Sequence, residues 1–591
     1  PLQIKFFLPF LPFTSHYQQR YKLIQKKFWN TFKPKEDSTI CLVDELGNPV
    51  PKDHCASLLN ETFASSFSDS IINNRPCMQN LDVLPMDPIT FNTTGIATLI
   101  DKLKRSSSCG VDSINSKFLQ NTKEYSSIIL GWLFTKSLQD NCLPKDWKTA
   151  KVIPLHKSGE RHNPRNYRPI SLTSVPCKLM EHIIYSNLVK HLESNNFFHN
   201  SQHGFRKFFS CETQLILFTN DLHAALDSGT TINCIFLDFA KAFDKVNHEL
   251  LLLKLHCLSI DPLLLDWIKE FLSNRTQFVC TNDINSSEVP VRSGIPQGSV
   301  LGPLLFLIYI NDLPTNISSP ICLFADDCVI YRKITDHNDN ETLQSDLNNI
   351  LHWCNLWKME LNISKCKAMR VSRNHTSIDN YSYSLNATPL EYVRSYKYLG
   401  VHITNSLSWS DHINHVTSKS NRMLGYLKRS FPVAPTFLKK QLYITYIRPL
   451  LEYAACVWDP GHITLVNKLE AIQNRSSRFI LCSYNRTSSV TAMKVRLNLP
   501  PLVMRRKIAR LCAFQKIYYH NHVLKSRLLQ PASFISSRID HPHKVHIPRS
   551  NTVTFSQSFL PNTCRDWNLL SASTASITEP DAFRQALTSS M

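Results

Sequence analysis

Apolar positions along this chain keep two rhythms, and each change of rhythm predicts a change of element. At 96–103, Ile96, Leu99, Ile100 and Leu103 recur in steps of three and four, which predicts a helix that stops at the polar stretch 106–110. Residues 152–155 read as a short strand and 179–192 as a helix. Residues 233–239 (NCIFLDF) form a continuous apolar run with polar flanks, the pattern of a strand covered on both faces. Helices are expected at 246–257 and 262–272, and a long apolar one at 299–313. Residues 321–331 (ICLFADDCVIY) read as a hairpin, two short apolar strands with two carboxylates between them. Leu343, Leu347, Ile350, Cys354 and Trp357 define an amphipathic helix, 396–403 (YKYLGVHI) reads as a strand, and beyond about 412 the pattern is helical. Turns are expected at 47–51 and 73–76.

At 591 residues the chain is too long for one core, and its 43% apolar content is ordinary for a folded protein. The net charge of +20 suits a polyanionic partner, nucleic acid or an anionic membrane surface. Placement says more than the sum. Between His412 and Arg510 there are 17 Lys or Arg and three acids, Glu452, Asp459 and Glu470, so 14 of the net +20 sit there. A surplus spread over about a hundred residues points to nucleic-acid contact.

The 18 cysteines show no C-x-x-C and no zinc-knuckle spacing, so structural zinc is not expected and reduced thiols are. His412 and His415 have no cysteine pair at matching distance and are read as surface histidines. No apolar run approaches the ~20 residues of a membrane span. Residues 4–13 (IKFFLPFLPF) are apolar, but two prolines interrupt them and no small-residue cleavage site follows. With Pro1 in place of Met, the chain is read as a fragment of a longer polyprotein.

The acids that matter chemically are Asp238, which ends the apolar run, and the pair Asp326 and Asp327 inside the apolar hairpin. Ionised carboxylates among Ile, Phe and Leu are costly, and adjacent ones repel. Either they titrate upward or a cation neutralises them, and hard oxygen ligands suit Mg²⁺. Three such groups converging could hold two ions ~4 Å apart, one at a 3′ hydroxyl and one at a leaving pyrophosphate.

These residues lie within an ordered series: SCGVDSINSKFL (108–119), IPLHKSGERHNPRNYRPISL (153–172), QHGFR (202–206), FLDFAKAFDKV (236–246), SGIPQGSVLGPLLFLIYINDL (293–313), FADD (324–327), LNISKCKAM (361–369) and YKYLGVHI (396–403). Over 101–510 the chain resembles the reverse transcriptases of non-long-terminal-repeat (LINE-type), jockey-like retrotransposons. The resemblance implies a multidomain α+β right hand: fingers, a palm of antiparallel sheet plus helices, and a helical thumb. Expected boundaries are a connector at 1–100, an N-terminal extension and fingers at 101–230, a palm at 231–403 (the domain core being about 146–403), a basic thumb at 404–510 and an extension of unassigned role at 511–591.

By the same resemblance, Asp238 and Asp326 bind two Mg²⁺ ions (Mn²⁺ being the alternative), Asp327 supports them, and the Phe239 carbonyl is a further ligand. Phe243 packs under the sugar and excludes a 2′ hydroxyl, and Gln297 reaches the incoming nucleotide or the template base. Lys157 and Arg168 meet the triphosphate, with Arg165 in the same segment, and Arg206 touches template or braces the fingers. Lys365 is a general acid for pyrophosphate, and Tyr398, Leu399 and Gly400 belong to the primer grip. Ser299 is expected to cap the following helix, with Pro303 in its first turn.

The implied activity is RNA-directed DNA polymerisation, with an RNA template, a DNA primer or target DNA and dNTPs as partners and no membrane. The alternative is an inactive relic that folds and binds RNA. Group II intron maturases and telomerases share such a palm, but LNISKCKAM, YKYLGV and LEYAACVWDP (451–460) are closer to retrotransposons. An RNA replicase would carry an acid where this chain has Phe243; its acid is one step later, at Asp244, which is read as a helix N-terminal residue. No upstream endonuclease and no RNase H carboxylate set are visible, and a nuclear and cytoplasmic ribonucleoprotein is expected.

Overall fold

Strand β3 (Thr231–Asp238) explains its own apolar run. In the computed structural model, which describes residues 40–44, 46–68, 75–76, 83–373, 381–536 and 538–590, β3 is the middle strand of a five-stranded sheet. Successive side chains of a strand point to opposite faces. Ile235 and Leu237 therefore join one core, while Ile232, Cys234 and Phe236 join a second core on the other face. The apolar stretch 4–13 and half of the 73–76 turn fall outside the described residues.

A first sheet precedes this one: β1 (Thr149–His156), β2 (Tyr167–Leu172), β4 (Arg275–Thr281), β5 (Ile284–Asn285) and β6 (Val289–Val291), in the order β2-β1-β4-β5 with β6 also on β4. The helix Cys55–Ala64, inside the stretch read as a connector, packs on this sheet. Its Asn60 amide donates to Ser286 Oγ and to the Ser287 carbonyl, at 3.0 and 2.9 Å.

The central sheet adds β7 (Ile321–Phe324), β8 (Asp327–Ile334) and β9 (Lys367–Val371), with Glu391–Tyr392 at one edge and β7 at the other. Helices Val175–Ser194, Pro262–Leu272, Gly302–Ile310 and His337–Leu356 contribute to the first core. Helix Cys211–Asp227 and the helices beyond 409 contribute to the second. The molecule is thus mixed α+β.

Two expected elements differ. The expected strand at 396–403 is a hairpin, Ser395–Tyr398 with Val401–Thr404, because Leu399 and Gly400 both take left-handed conformations (φ 44° and 86°) and reverse the chain. The long helix expected at 299–313 is only Gly302–Ile310. Ser299 is not the expected cap, because the N-cap position falls to Leu301 and carries no side-chain cap bond; the Ser299 Oγ accepts the Gly302 N–H at 2.9 Å from just ahead of the helix, and Pro303 is in the first turn.

The basic helical region resolves into two kinds of cation. Its three acids all hold internal partners: Arg505 with Glu452, Arg506 and Arg510 with Asp459, and Lys494 with Glu470. Arg506 and Arg510 are buried and brace helix Leu502–His520. Lys419, Arg422 and Arg429 on helix Ser410–Ser430, and Lys468 and Arg475 on the adjacent helix Ile463–Leu481, are exposed and form a cationic face.

His415 is at the surface as expected, but His412 is not. Its ring lies 4.9 Å from Trp458, and its Nδ1 accepts the His402 N–H at 3.3 Å, so packing encloses it. Burial holds His203 and His412 down to about 3 and His223 to about 4. A base depressed in the fold contributes stability that is present above its unfolded pKa of about 6.5 and is lost as pH falls toward the folded value. The unfolding midpoint in urea should therefore drop between pH 7 and pH 5, each ring accounting for roughly 1–2 kcal/mol. His412→Gln should flatten that dependence, and an unchanged slope would contradict it. Among the described residues every cysteine is a free thiol, and no helix is long and apolar enough to cross a membrane.

Candidate active site

The two acidic signals meet because antiparallel pairing puts them opposite each other. β3 and β8 run in a register that pairs Asp238 with Asp327, the last residue of one strand with the first of the other. Residues paired across a ladder point to the same face. β7 and β8 are joined by a two-residue turn, Ala325–Asp326, closed by the Phe324–Asp327 pair. Asp326 thereby projects from the tip, and Asp238 and Asp326 both border a cavity of about 770 Å³ between the two sheets. Asp327 is exposed beside them and does not line that cavity.

The electrostatics are those of crowded carboxylates. Burial, then the like charge of Asp238, raises Asp326 above the usual carboxylate range. Although Asp327 reaches solvent, desolvation by the protein crowded around its carboxyl, and then the charges of Asp326 and Asp238, push it up to about 6. Cations gather on the other side. Lys365 Nζ stands 3.7 Å from Asp238 Oδ2, and Lys157, Arg168 and Arg165 also line the cavity. Burial and then its cationic neighbours Arg168 and Lys365 lower Lys157. An anion placed among these groups would relieve that repulsion.

Local backbone pairing delivers Lys365. The Asn362 N–H donates to the Asp238 carbonyl (2.7 Å) and the Ala240 N–H to the Glu360 carbonyl (2.8 Å), so the Ile363–Lys365 turn lies alongside Asp238. In that pairing the Phe239 carbonyl is left facing the other way, and Phe239 also lines the cavity. Two carboxylates and one carbonyl suit a hard divalent cation, which keeps several water or phosphate oxygens of its own. Among the described residues no three His, Cys, Asp or Glu side chains already surround a common point.

Phe243 borders the cavity and stacks on Phe306, with centroids 4.4 Å apart and planes 20° apart. Gln297 is tied down twice. Its carbonyl accepts the Ser171 N–H of β2, and its Nε2 donates to Asp244 Oδ1, each at 2.9 Å. Asp244 sits in the short helix Ala242–Lys245 as expected, but it also orients Gln297, a contact 53 residues long that no local pattern announces. Arg206 braces: it donates to the carbonyls of His199 and Gln202 (3.1 and 3.2 Å) and its guanidinium lies over Phe198 and Phe209.

At the hairpin 395–404, Tyr398 is buried and its hydroxyl accepts from Gln214 Nε2 at 3.0 Å. Its side chain faces the core, whereas Leu399 is half-buried and Gly400 is exposed. The Tyr453 hydroxyl anchors that turn by donating to the Leu399 carbonyl at 2.8 Å.

Three further residues shape the site: Tyr396 lies in the expected primer-grip segment, and Glu181 and Lys241 have no expected role. Glu181, fully buried on helix Val175–Ser194, accepts the N–H groups of Val300 and Leu301 at 2.6 and 3.1 Å and so fixes the start of helix Gly302–Ile310. Lys241, in a left-handed conformation, reaches Ser66 Oγ across the cavity wall. Tyr396 stacks on Phe236 at 3.9 Å, on the same sheet face as Asp238.

A sheet that ends in Asp238 opposite an Asp326–Asp327 hairpin, beside a cation-lined cavity, can hold divalent cations next to a polyphosphate, an arrangement suited to nucleotidyl transfer. Residues 155–403 match the family model described as reverse transcriptase (RNA-dependent DNA polymerase). The chain's relatives are RNA-directed DNA polymerases of jockey-like and other non-long-terminal-repeat retrotransposons. The "Probable RNA-directed DNA polymerase from transposon BS" of Drosophila melanogaster is 26% identical over 464 residues, covering 76% of this chain and 50% of that protein. The "RNA-directed DNA polymerase from mobile element jockey" of the same organism is 28% identical over 412 residues, covering 67% and 44%. The chain spans about half the length of these relatives.

Proposed function

We propose that this chain is an RNA-directed DNA polymerase that extends a DNA 3′ end on an RNA template by two-cation nucleotidyl transfer. The observation that carries this reading is Asp238 paired with Asp327 while Asp238 and Asp326 border one cation-lined cavity. In this reading the central sheet is the palm, the first sheet with its cavity-facing cations is the fingers, and the helices beyond 404 are the thumb. The exposed cations of helices Ser410–Ser430 and Ile463–Leu481 would track duplex phosphates, by shape more than by sequence.

Asp238, Asp326 and the Phe239 carbonyl would hold two Mg²⁺, or Mn²⁺, with Asp327 in support, and the substrate's phosphates would complete the shell. The bound ions would supply Lewis acidity at the 3′ hydroxyl and at the departing phosphate. Arg168 and Lys157 would neutralise and orient the triphosphate, Arg with a forked contact. Lys365 would hold a proton at Nζ for the leaving pyrophosphate. Gln297, with Nε2 fixed by Asp244, would offer its remaining amide oxygen to the nucleotide. The Leu399–Gly400 turn, rather than the buried Tyr398 ring, would meet the primer end.

Phe243 would close the space beneath the sugar. Phe243→Ala should raise ribonucleotide use relative to deoxyribonucleotide use about 30-fold, within the range one steric contact supplies. The ratio of kcat/KM for rNTP and dNTP checks it, and an unaltered ratio would remove Phe243 from the sugar pocket. The overall reading is tested by primer extension on poly(rA)/oligo(dT) with Mg²⁺ or Mn²⁺, against Asp326→Ala. No extension by the unaltered protein would leave a relic that folds and binds RNA. A ribonucleoprotein present in nucleus and cytoplasm is the wider proposal that follows.

A further inference from the structure

The Ala325–Asp326 turn needs something to hold it. Ala325 is a non-glycine residue in the left-handed region (φ 54°), where an L side chain is disfavoured, and it is 3% exposed. Its N–H points into the protein, and a buried N–H requires an acceptor.

That acceptor is a side chain 123 residues away. Gln202 Oε1 accepts the Ala325 N–H at 3.0 Å and the Gly204 N–H at 2.8 Å. Gln202 is 1% exposed, and its Nε2 is buried with no hydrogen-bond partner. The oxygen alone therefore accounts for the amide's place here. The backbone around it is locked to β7: the His203 N–H donates to the Leu323 carbonyl and the Leu323 N–H to the Ser201 carbonyl, both at 2.9 Å. Approach is so close that a Cβ on Gly204 would stand 2.5 Å from the Ala325 nitrogen.

We propose that Gln202 is a positioning residue: its side-chain carbonyl holds the Ala325–Asp326 turn in the left-handed shape that aims the Asp326 carboxylate at Asp238 and the cavity. The first residue of QHGFR is thus a clamp on the Ala325–Asp326 hairpin. Its importance to turnover rests on the polymerase reading above, whereas its effect on the turn does not.

The test is a cycle of four full-length proteins, unaltered, Gln202→Met, Ala325→Gly and the double variant, with Gln202→Glu as the conservative control. Methionine keeps length but loses the acceptor; glutamate keeps the acceptor. Gln202→Met should lower kcat about 30-fold and weaken Mn²⁺ binding, read by electron paramagnetic resonance, while primer–template affinity stays within about twofold. Gln202→Glu should stay within about threefold of the unaltered protein. In the Ala325→Gly background, where glycine adopts positive φ without strain, Gln202→Met should cost less than about fivefold. Amide exchange at Ala325 should quicken in Gln202→Met even if no variant polymerises, which separates failure of the clamp from failure of the polymerase reading. An equal cost of Gln202→Met in both backgrounds, or unchanged exchange at Ala325, would overturn the proposal.

Discussion

Asp326→Asn should abolish primer extension, lowering kcat by a thousandfold or more, while the metal-free protein becomes more stable. The substitution keeps the shape of the turn and removes one charge. In the active-site reading that charge holds a cation whose Lewis acidity lowers the barrier, and a thousandfold corresponds to about 4 kcal/mol. The stability change has the opposite sign for a definite reason. Burial and the neighbouring Asp238 charge raise the Asp326 carboxyl, so its ionisation at neutral pH costs folding free energy that a neutral amide does not. Two measurements check the pair of effects. Single-nucleotide extension should fall to background, and the melting temperature without metal should rise. The thermal shift that Mn²⁺ produces in the unaltered protein should largely disappear. A variant that extends primers within tenfold of the unaltered protein would take Asp326 out of the metal site.

The same pair of acids explains how much of this site could be read from residues alone. A continuous apolar run marks a strand covered on both faces, and β3 is one, with Ile235 in one core and Phe236 in the other. Carboxylates that interrupt such runs stand out because their burial is costly unless a partner or a cation offsets it. The two lysines and the arginine are picked out by their order along the chain, and the structure brings Lys157, Arg168 and Lys365 to one cavity.

What stayed hidden falls into two kinds. Left-handed turns without the usual Asn-Gly or Asp-Gly signal are invisible, which is why Leu399–Gly400 hid a hairpin inside an apparent strand. Long-range side-chain partners are invisible too. Asp244 on Gln297, Glu181 on Val300 and Leu301, and Gln202 on Ala325 each join elements 53 to 123 residues apart. His412 was misplaced for the same reason, since the Trp458 that buries it lies 46 residues further along and no periodicity links them. The candidate carboxylates were legible because their burial is costly, and the residues that support them were not, because a buried glutamine or glutamate looks like any polar residue in a helix or loop.

Gly298→Ala should cost at least a hundredfold in kcat/KM for the incoming nucleotide, more than any conservative change at Gln297 beside it. Gly298 has φ of 124°, where L residues are strained, and a Cβ there would stand 2.5 Å from the Ser171 carbonyl oxygen. That oxygen belongs to the backbone of β2, so no flexible side chain can move aside. The loop must withdraw, which breaks the bond from the Ser171 N–H to the Gln297 carbonyl. That bond joins the wall carrying Arg168 to the wall carrying Gln297 and Phe243, so the cations and the sugar pocket lose their register. Misplacement of about 1 Å at a reacting centre costs on the order of a hundredfold. The strain itself should lower stability by about 1–3 kcal/mol. Gly95→Ala is the matched control: its Cβ would meet nothing within 4 Å, and alanine in the helix Thr93–Lys102 should stabilise slightly. Steady-state kinetics with varied dNTP, beside urea unfolding of both variants, separates the two effects. If Gly298→Ala loses stability yet keeps its nucleotide kcat/KM within threefold, the contact between β2 and the Gln297 loop serves folding alone.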